Sequence, residues 1–262
     1  MKGWFSAYTC RDSRQAQEQL ADWFEREPGN TLATAEQQQI NGVLANLFGY
    51  HLMQIGDAVP RDLLADSRIR HRMVMLRPDG KARPRVSEAG LLTAVPEQMP
   101  IGNDLVDVIL CPHVLEFAAS PHEVLREVER VLIPEGHVVI AGFNPWSIWG
   151  FARLLMGWQR RAPWCGKFYS SGRIRDWLSL LGFDTVMTRT FFFRPPFSHG
   201  GLLERLDFLD RAGSRWWSML GGIYIVVAKK RVATLTPIKP RWRPRRSLLH
   251  GKLPEATARR EK

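Results

Sequence analysis

Two rhythms of apolar residues alternate along the chain. One recurs every three or four positions, as a helix with a single buried face requires. The other gathers apolar residues into short runs bounded by turn formers, as buried strands do. Arg11–Glu27 is polar except for Leu20, Trp23 and Phe24, which share one side of a predicted helix stopped by Pro28-Gly29. Ile40, Val43, Leu44, Leu47 and Phe48 predict a second helix over about Ala35–Phe48, ended by Gly49. Tyr50–Ile55 is then a run of strand length closed by Gly56. Met73–Leu76, Leu91–Val95, Val106–Leu110 and Val138–Ala141 repeat the strand signal.

Ser120 stands where an N-cap belongs, Pro121 suits the first helical position, and Glu123 completes a capping box. Val124, Leu125, Val128, Val131 and Leu132 form one apolar stripe, with Arg126, Glu127, Glu129 and Arg130 opposite. Pro134-Glu135-Gly136 then turns the chain into Val138–Ala141. Strand, capped helix, strand is a parallel crossover. A comparable helix, Ser171–Leu181, stops at Gly182, and Phe183–Phe193 and Ile223–Lys229 follow as extended segments. The predicted fold class is α/β, a doubly wound and mostly parallel sheet of about seven strands.

With 262 residues, 45% hydrophobic and 24% charged, the chain has globular composition, which excludes a disordered or fibrous protein. The formal charge of +11 is concentrated at one end: residues 229–262 hold 12 Lys/Arg and two acids, leaving the body nearly neutral. Three cysteines (Cys10, Cys111, Cys165) without a C-x-x-C spacing fit reduced thiols and a cytoplasmic protein. Polar residues after Met1-Lys2-Gly3-Trp4 speak against a signal peptide. The richest apolar stretch, Phe143–Trp158, is interrupted by Asn144, Pro145 and Arg153, too short and polar for a transmembrane segment. No histidine pairs with another ligand at helical spacing, and no Walker loop or G-x-G-x-x-G turn occurs, so no metal site is expected.

Several boxes in order and at the right spacing carry a resemblance. Met99-Pro100-Ile101, followed by Val106-Asp107-Val108, resembles the "L-P-F-x-x-x-x-F-D-x-V" segment of class I S-adenosylmethionine-dependent methyltransferases of the type 11 kind. His113-Val114-Leu115-Glu116-Phe117 resembles their "H-V-L-E-H". Leu125–Gly136 resembles "L-x-E-x-x-R-V-L-K-P-G-G". The resemblance is close over about residues 97–145 and looser over 50–229. It implies a Rossmann-like sheet of order 3-2-1-4-5-7-6 with the last strand antiparallel. It divides the chain into an N-terminal helical extension (1–49), a methyltransferase-like domain (50–229) with an inserted cap at 142–168, and a basic, disordered tail (230–262).

The implied cofactor is S-adenosylmethionine, and the glycine-rich motif that meets it is degenerate. Gln54 takes the place of the acidic residue ending the first strand. Of the glycines only Gly56 remains, with Ala58, Val59 and Pro60 after it. Leu76 and Arg77 stand where an acid usually contacts the ribose, and Asp79 lies beyond a proline. Val95 replaces the acid near the adenine, with Glu97, Gln98 and Met99 beside it. By alignment the cofactor-binding residues are Gln54, Gly56, Leu76, Arg77, Glu97, Gln98, Met99, Cys111 and Pro112, the last two facing the transferred methyl with His113.

His113 has two readings, a general base for a substrate hydroxyl or amine and a packing residue. Cys111-Pro112 is not the "[D/N]-P-P-[Y/F]" box of amino-methyltransferases, which argues against nucleic-acid amino groups as acceptor. Asn144, Trp146 and Trp149 follow the fifth strand and are candidate substrate residues, or else a packed turn and helix start. Trp146, Trp149, Trp158 and Trp164 interleave with Arg153, Arg160 and Arg161, which suits a membrane interface, a lid over a greasy substrate, or a cap on its own domain. The implied activity is methyl transfer to a small or medium-sized acceptor. The alternative is a catalytically inactive methyltransferase-like binding protein that acts on RNA or a protein partner through its tail. Lys239–Arg246, with Trp242 among its cations, gives residues 234–262 a weak affinity for nucleic acid or an anionic surface.

Overall fold

A computed structural model of the protein describes residues 13–78, 89–157, 161–196, 209–210, 213 and 217–231. All fall within one compact unit, 1–232. Asp79, Trp158, Arg160 and the expected tail segment 234–262 lie outside the described residues. Helices α1 (Ser13–Phe24) and α2 (Gly29–Leu44) precede strands β1 (His51–Ile55), β2 (His71–Leu76), β3 (Gly90–Thr93) and β4 (Val106–Pro112). Helix α3 (Pro121–Val131), β5 (Leu132–Phe143), α4 (Ile148–Met156), α5 (Ser171–Leu180), β6 (Phe183–Phe191) and β7 (Ile223–Lys230) complete the chain order. The seven strands form one sheet in the order β3-β2-β1-β4-β5-β7-β6, with β7 antiparallel to both neighbours and the other pairs parallel. Fold class, strand order and the antiparallel strand agree with the sequence reading.

Alternation along the strands sorts side chains onto two buried faces. Leu52, Val74, Val108, Leu110 and Val139 pack with Leu20 and Phe24 of α1 and Leu32, Ile40 and Leu44 of α2. Met53, Ile55, Ile109 and Val138 pack with Val124, Leu125 and Val128 of α3 and Ile174 and Leu178 of α5. The N-terminal helices are thus walls of the core rather than an appendage to it. Asp107, from the box that carried the resemblance, accepts the N–H groups of Tyr50 (3.0 Å) and His51 (2.9 Å), pinning the start of β1 to β4.

The structure corrects four local expectations. Helix α2 runs from Gly29 to Leu44 rather than from Ala35 to Phe48, and its buried side starts with Gly29, Leu32 and Ala33 and includes the polar Glu36 and Asn41. Ser120 caps α3 without a side-chain hydrogen bond, so the capping box is not formed, although Pro121 does open the helix. Strand β5 starts at Leu132: Leu132 pairs with Val106 and His137 with Val108, so Ile133–Gly136 bulges out of the ladder instead of ending the helix in a separate turn. Cys165 is disulfide-bonded while Cys111 is a free buried thiol, which corrects the expectation of uniformly reduced cysteines. Among the described residues no helix is long and apolar enough to cross a membrane.

Candidate active site

The parallel strands set the carboxyl ends of β3, β2, β1 and β4 side by side, the edge where open α/β sheets build their sites. At the end of β1, buried Gln54 donates from Nε2 to the Gly56 carbonyl at 2.8 Å, which closes the turn. Its Oε1 is buried and without a partner. Gly56 has φ +82, while an added Cβ would meet only a Val114 methyl at 3.7 Å, so the backbone angle rather than lack of room calls for glycine. At the end of β2, Leu76 is buried and its carbonyl accepts the Ala94 N–H at 2.9 Å. Arg77 Nη2 lies 3.8 Å from Glu97 Oε2, an ion pair too long to be a hydrogen bond. Arg77 Nη1 and both Glu97 carboxylate oxygens are buried without a hydrogen-bond partner among the described residues.

Helix α3 holds the segment after β3 in place. Glu127 Oε2 accepts the Met99 N–H at 2.9 Å, and Arg130 donates to the carbonyls of Met99 (3.0 Å) and Ile101 (2.8 Å). Arg130 also bonds Glu127, which holds that carboxyl below its usual range. Met99 is buried, whereas Gln98 is exposed and contributes its backbone N–H to Val95 O. Glu127 and Arg130 read in the sequence only as the polar side of a helix.

The end of β4 is built differently. Cys111 and Pro112 lie in the strand opposite Ile140 and Ala141, and burial pushes the Cys111 thiol up to about 12, leaving it protonated and inert. His113 has φ +51 and is fully buried between the rings of Phe143 and Phe24, 4.3 and 5.5 Å away. Its Nδ1 is 3.2 Å from Glu116 Oε1 and its Nε2 is 3.2 Å from Glu36 Oε2 on α2. Burial alone would lower its pKa. The Glu36 charge, hydrogen bonds to Glu116 and Glu36, and the Glu116 charge together raise it to about 10. The ring is therefore an imidazolium whose two N–H groups both donate to carboxylates. With both ring nitrogens engaged by carboxylates, the geometry favours the packing reading over the general base. Glu116 Oε1 also accepts the Phe143 N–H at 2.8 Å. Beside it, a Cβ on Gly142 would fall 2.6 Å from the Tyr224 hydroxyl and 2.8 Å from Glu116 Oε1. The sequence missed Glu36, whose only signal is a carboxylate at a core position between Leu32 and Ile40.

After β5 the three candidate substrate residues separate. Asn144 Nδ2 donates to the carbonyls of Met219 (2.8 Å) and Gly221 (2.9 Å), while Oδ1 accepts the Trp146 N–H (3.1 Å), so its amide is used in tying this loop to the approach to β7. Trp149 is buried, stacks on Trp164 and donates Nε1–H to Arg194 O at 2.8 Å, as a core residue does. Trp146 alone is exposed. Ser147 caps α4 by accepting the Gly150 N–H at 3.2 Å. Among the described residues no group of His, Cys, Asp and Glu could hold a metal ion.

A seven-stranded sheet of this order, with polar residues converging on the ends of β1–β3, defines a class: the fold is that of the class I methyltransferases, and part of the chain carries their domain. A family model described as a methyltransferase domain matches residues 69–140. A particular relative is the uncharacterized protein YafS of Escherichia coli strain K12, 30% identical over 222 residues that cover 83% of this chain and 84% of that protein. Solved structures share the fold. One is a chain from the complex with the Haloferax volcanii Trm112 methyltransferase activator (TM-score 0.57, 14% identity, 81% of this chain and 98% of that one). Another is an S-adenosylmethionine-dependent methyltransferase from Mesorhizobium loti (TM-score 0.53, 15% identity, 75% and 98%).

Proposed function

We propose that the protein is an active methyltransferase that binds S-adenosylmethionine along the ends of β1–β3 and methylates a small or medium-sized acceptor. One observation carries this reading: Gln54 Oε1, Arg77 Nη1 and both Glu97 oxygens are buried along one strand edge without a hydrogen-bond partner among the described residues. An orphaned buried carboxylate is costly, and such groups call for an explanation, of which a polar ligand is the most direct. The donor set fits this cofactor. Glu97 has acceptors for the adenine amine, Arg77 has a spare donor for a ribose hydroxyl, and Gln54 Oε1 has a lone pair for the ammonium of the methionine end. Leu76 and Met99 supply apolar flanks, and the Gly56 turn admits close backbone approach.

When bound, the cofactor supplies an electrophilic methyl group on a sulfonium. The chain's own part is to align the acceptor and exclude water, gaining rate by proximity. In this reading Cys111 and Pro112 serve as wall. His113 is a positioning residue that fixes the end of β4 to α2 and β5, and Trp146 is the candidate on the acceptor side. No relative, and none of the described residues, favours the inactive binding-protein alternative. A cytoplasmic location goes with the proposal because the methyl donor is intracellular. Thiol trapping in freshly lysed cells tests the point.

Calorimetry with S-adenosylhomocysteine should give a dissociation constant of about 10–500 µM, weaker than a site with an intact ribose acid. Mass spectrometry of the purified protein should detect co-eluting S-adenosyl compounds. Absence of both heat and thermal shift at millimolar ligand overturns the enzyme reading.

A further inference from the structure

One face of the molecule is apolar where water should be. Helix α4 turns Trp149 and Ala152 into the core, yet Ile148, Phe151, Leu154 and Leu155 on its other side are 53–63% exposed. At 100° per residue these four occupy an arc of about 120°, a continuous stripe rather than scattered positions. Trp146, 74% exposed, precedes the helix, and Met219, 80% exposed, stands beside it because the Asn144 amide bonds the Met219 carbonyl. Single exposed apolar residues are ordinary, but a contiguous patch marks an interaction site.

Charge selects the partner. From Gly136 to Arg175 the sequence has six Lys/Arg and no Asp or Glu. That stretch contains Trp146 and the whole of α4, whereas Lys229, Lys230 and Arg231 at the far end of β7 are each held in ion pairs. The Arg153 side chain bonds the Gly166 carbonyl at 2.7 Å, which holds the segment containing exposed Lys167 against α4. An aromatic and aliphatic helix face set among cations, with no acid near it in sequence, matches the interface of an anionic bilayer. There apolar side chains enter the acyl boundary while Lys and Arg meet the headgroups.

We propose that α4 and the turn before β7 dock the protein on an anionic phospholipid surface. Because α4 follows β5 at its carboxyl end, docking brings that surface to the same sheet edge that carries Gln54, Arg77 and Glu97. The proposal does not depend on catalysis, so failure of the methyltransferase reading would leave it standing.

The test is co-sedimentation of the full chain with vesicles of phosphatidylcholine alone or mixed with phosphatidylglycerol. The full chain should bind the mixed vesicles and bind the neutral ones at least about tenfold more weakly. The double variant Phe151→Gln/Leu154→Gln should lower binding to mixed vesicles at least about tenfold, because it removes two inserting side chains. Both positions are exposed, so its thermal midpoint should match the parent's, which separates lost docking from lost folding. A chain ending at Ala233 should keep a residual binding that the double variant removes. Three results overturn the proposal: binding that the double variant leaves intact, binding that vanishes entirely with residues 234–262, or a patch that instead self-associates, seen as a dimer that the double variant dissociates while vesicles are ignored.

Discussion

The two halves of the carboxyl edge of the sheet use buried charge in opposite ways. At the ends of β2 and β3, Arg77 and Glu97 face each other at 3.8 Å and leave three polar atoms without partners. At the ends of β4 and β5, His113 engages a carboxylate with each ring nitrogen, and Glu116 takes a backbone N–H besides. The first half has more unused hydrogen-bonding capacity; the second spends most of its own on itself, with Glu36 Oε1 left without a partner among the described residues. A titratable residue at a family position is therefore weak evidence of chemistry until its partners are counted. His113 occupies the more suggestive place in the sequence, and Glu97 has the freer side chain in the structure.

Removing the cation from the closed half should have the largest effect. His113→Gln leaves two buried carboxylates without a countercharge and should cost about 3–5 kcal/mol of stability, read as a lowered urea midpoint. Binding of S-adenosylhomocysteine by the fraction still folded should be little changed. If instead that fraction loses binding with no loss of stability, the two halves are not separate.

The same residue fixes a pH dependence. His113 is raised to about 10 in the folded protein from an ordinary 6.5. Its contribution is thus fully present below about pH 6.5 and is lost as pH rises towards 10. Melting midpoints should fall across that window, and His113→Gln should flatten the fall. An equally steep fall in the variant would remove His113 as its cause.

Smaller changes sharpen the contrast. Gly142→Ala forces a methyl group against the Tyr224 hydroxyl and Glu116 Oε1, and should destabilise by about 1–3 kcal/mol as overpacking does. Gly56→Ala meets only a Val114 methyl at 3.7 Å but has a φ of +82, and should cost only about 1–2 kcal/mol. Chemical denaturation of both variants checks the order, and a larger loss at Gly56 would contradict it.

The sheet was legible because its signals are local. The α3 stripe lies within eleven residues, and Asp107 sits in a box whose spacing survives intact. The site was half legible. Gln54, Arg77 and Glu97 follow from strand order, since parallel strands must bring their ends together. The His113 latch was not, because Glu36 is 77 positions away and reads as an ordinary helical acid until α2 is seen against β4. Trp146 and Trp149 show the same limit: three residues apart in one aromatic box, one is exposed and the other is core. Periodicity alone cannot say where a loop hands over to a helix, and that register decides which indole is buried.

The most direct test of the open half is the affinity of Glu97→Gln for S-adenosylhomocysteine, measured by calorimetry with the denaturation midpoint as its control. Loss of charge-assisted hydrogen bonds should weaken binding by about 1.5–3 kcal/mol, tenfold or somewhat more than a hundredfold. The midpoint should change little, because Glu97 meets Arg77 only at 3.8 Å, too far for a hydrogen bond to be lost. An unchanged dissociation constant together with a lowered midpoint would show that Glu97 belongs to the architecture of the edge, and would contradict its assignment to the cofactor.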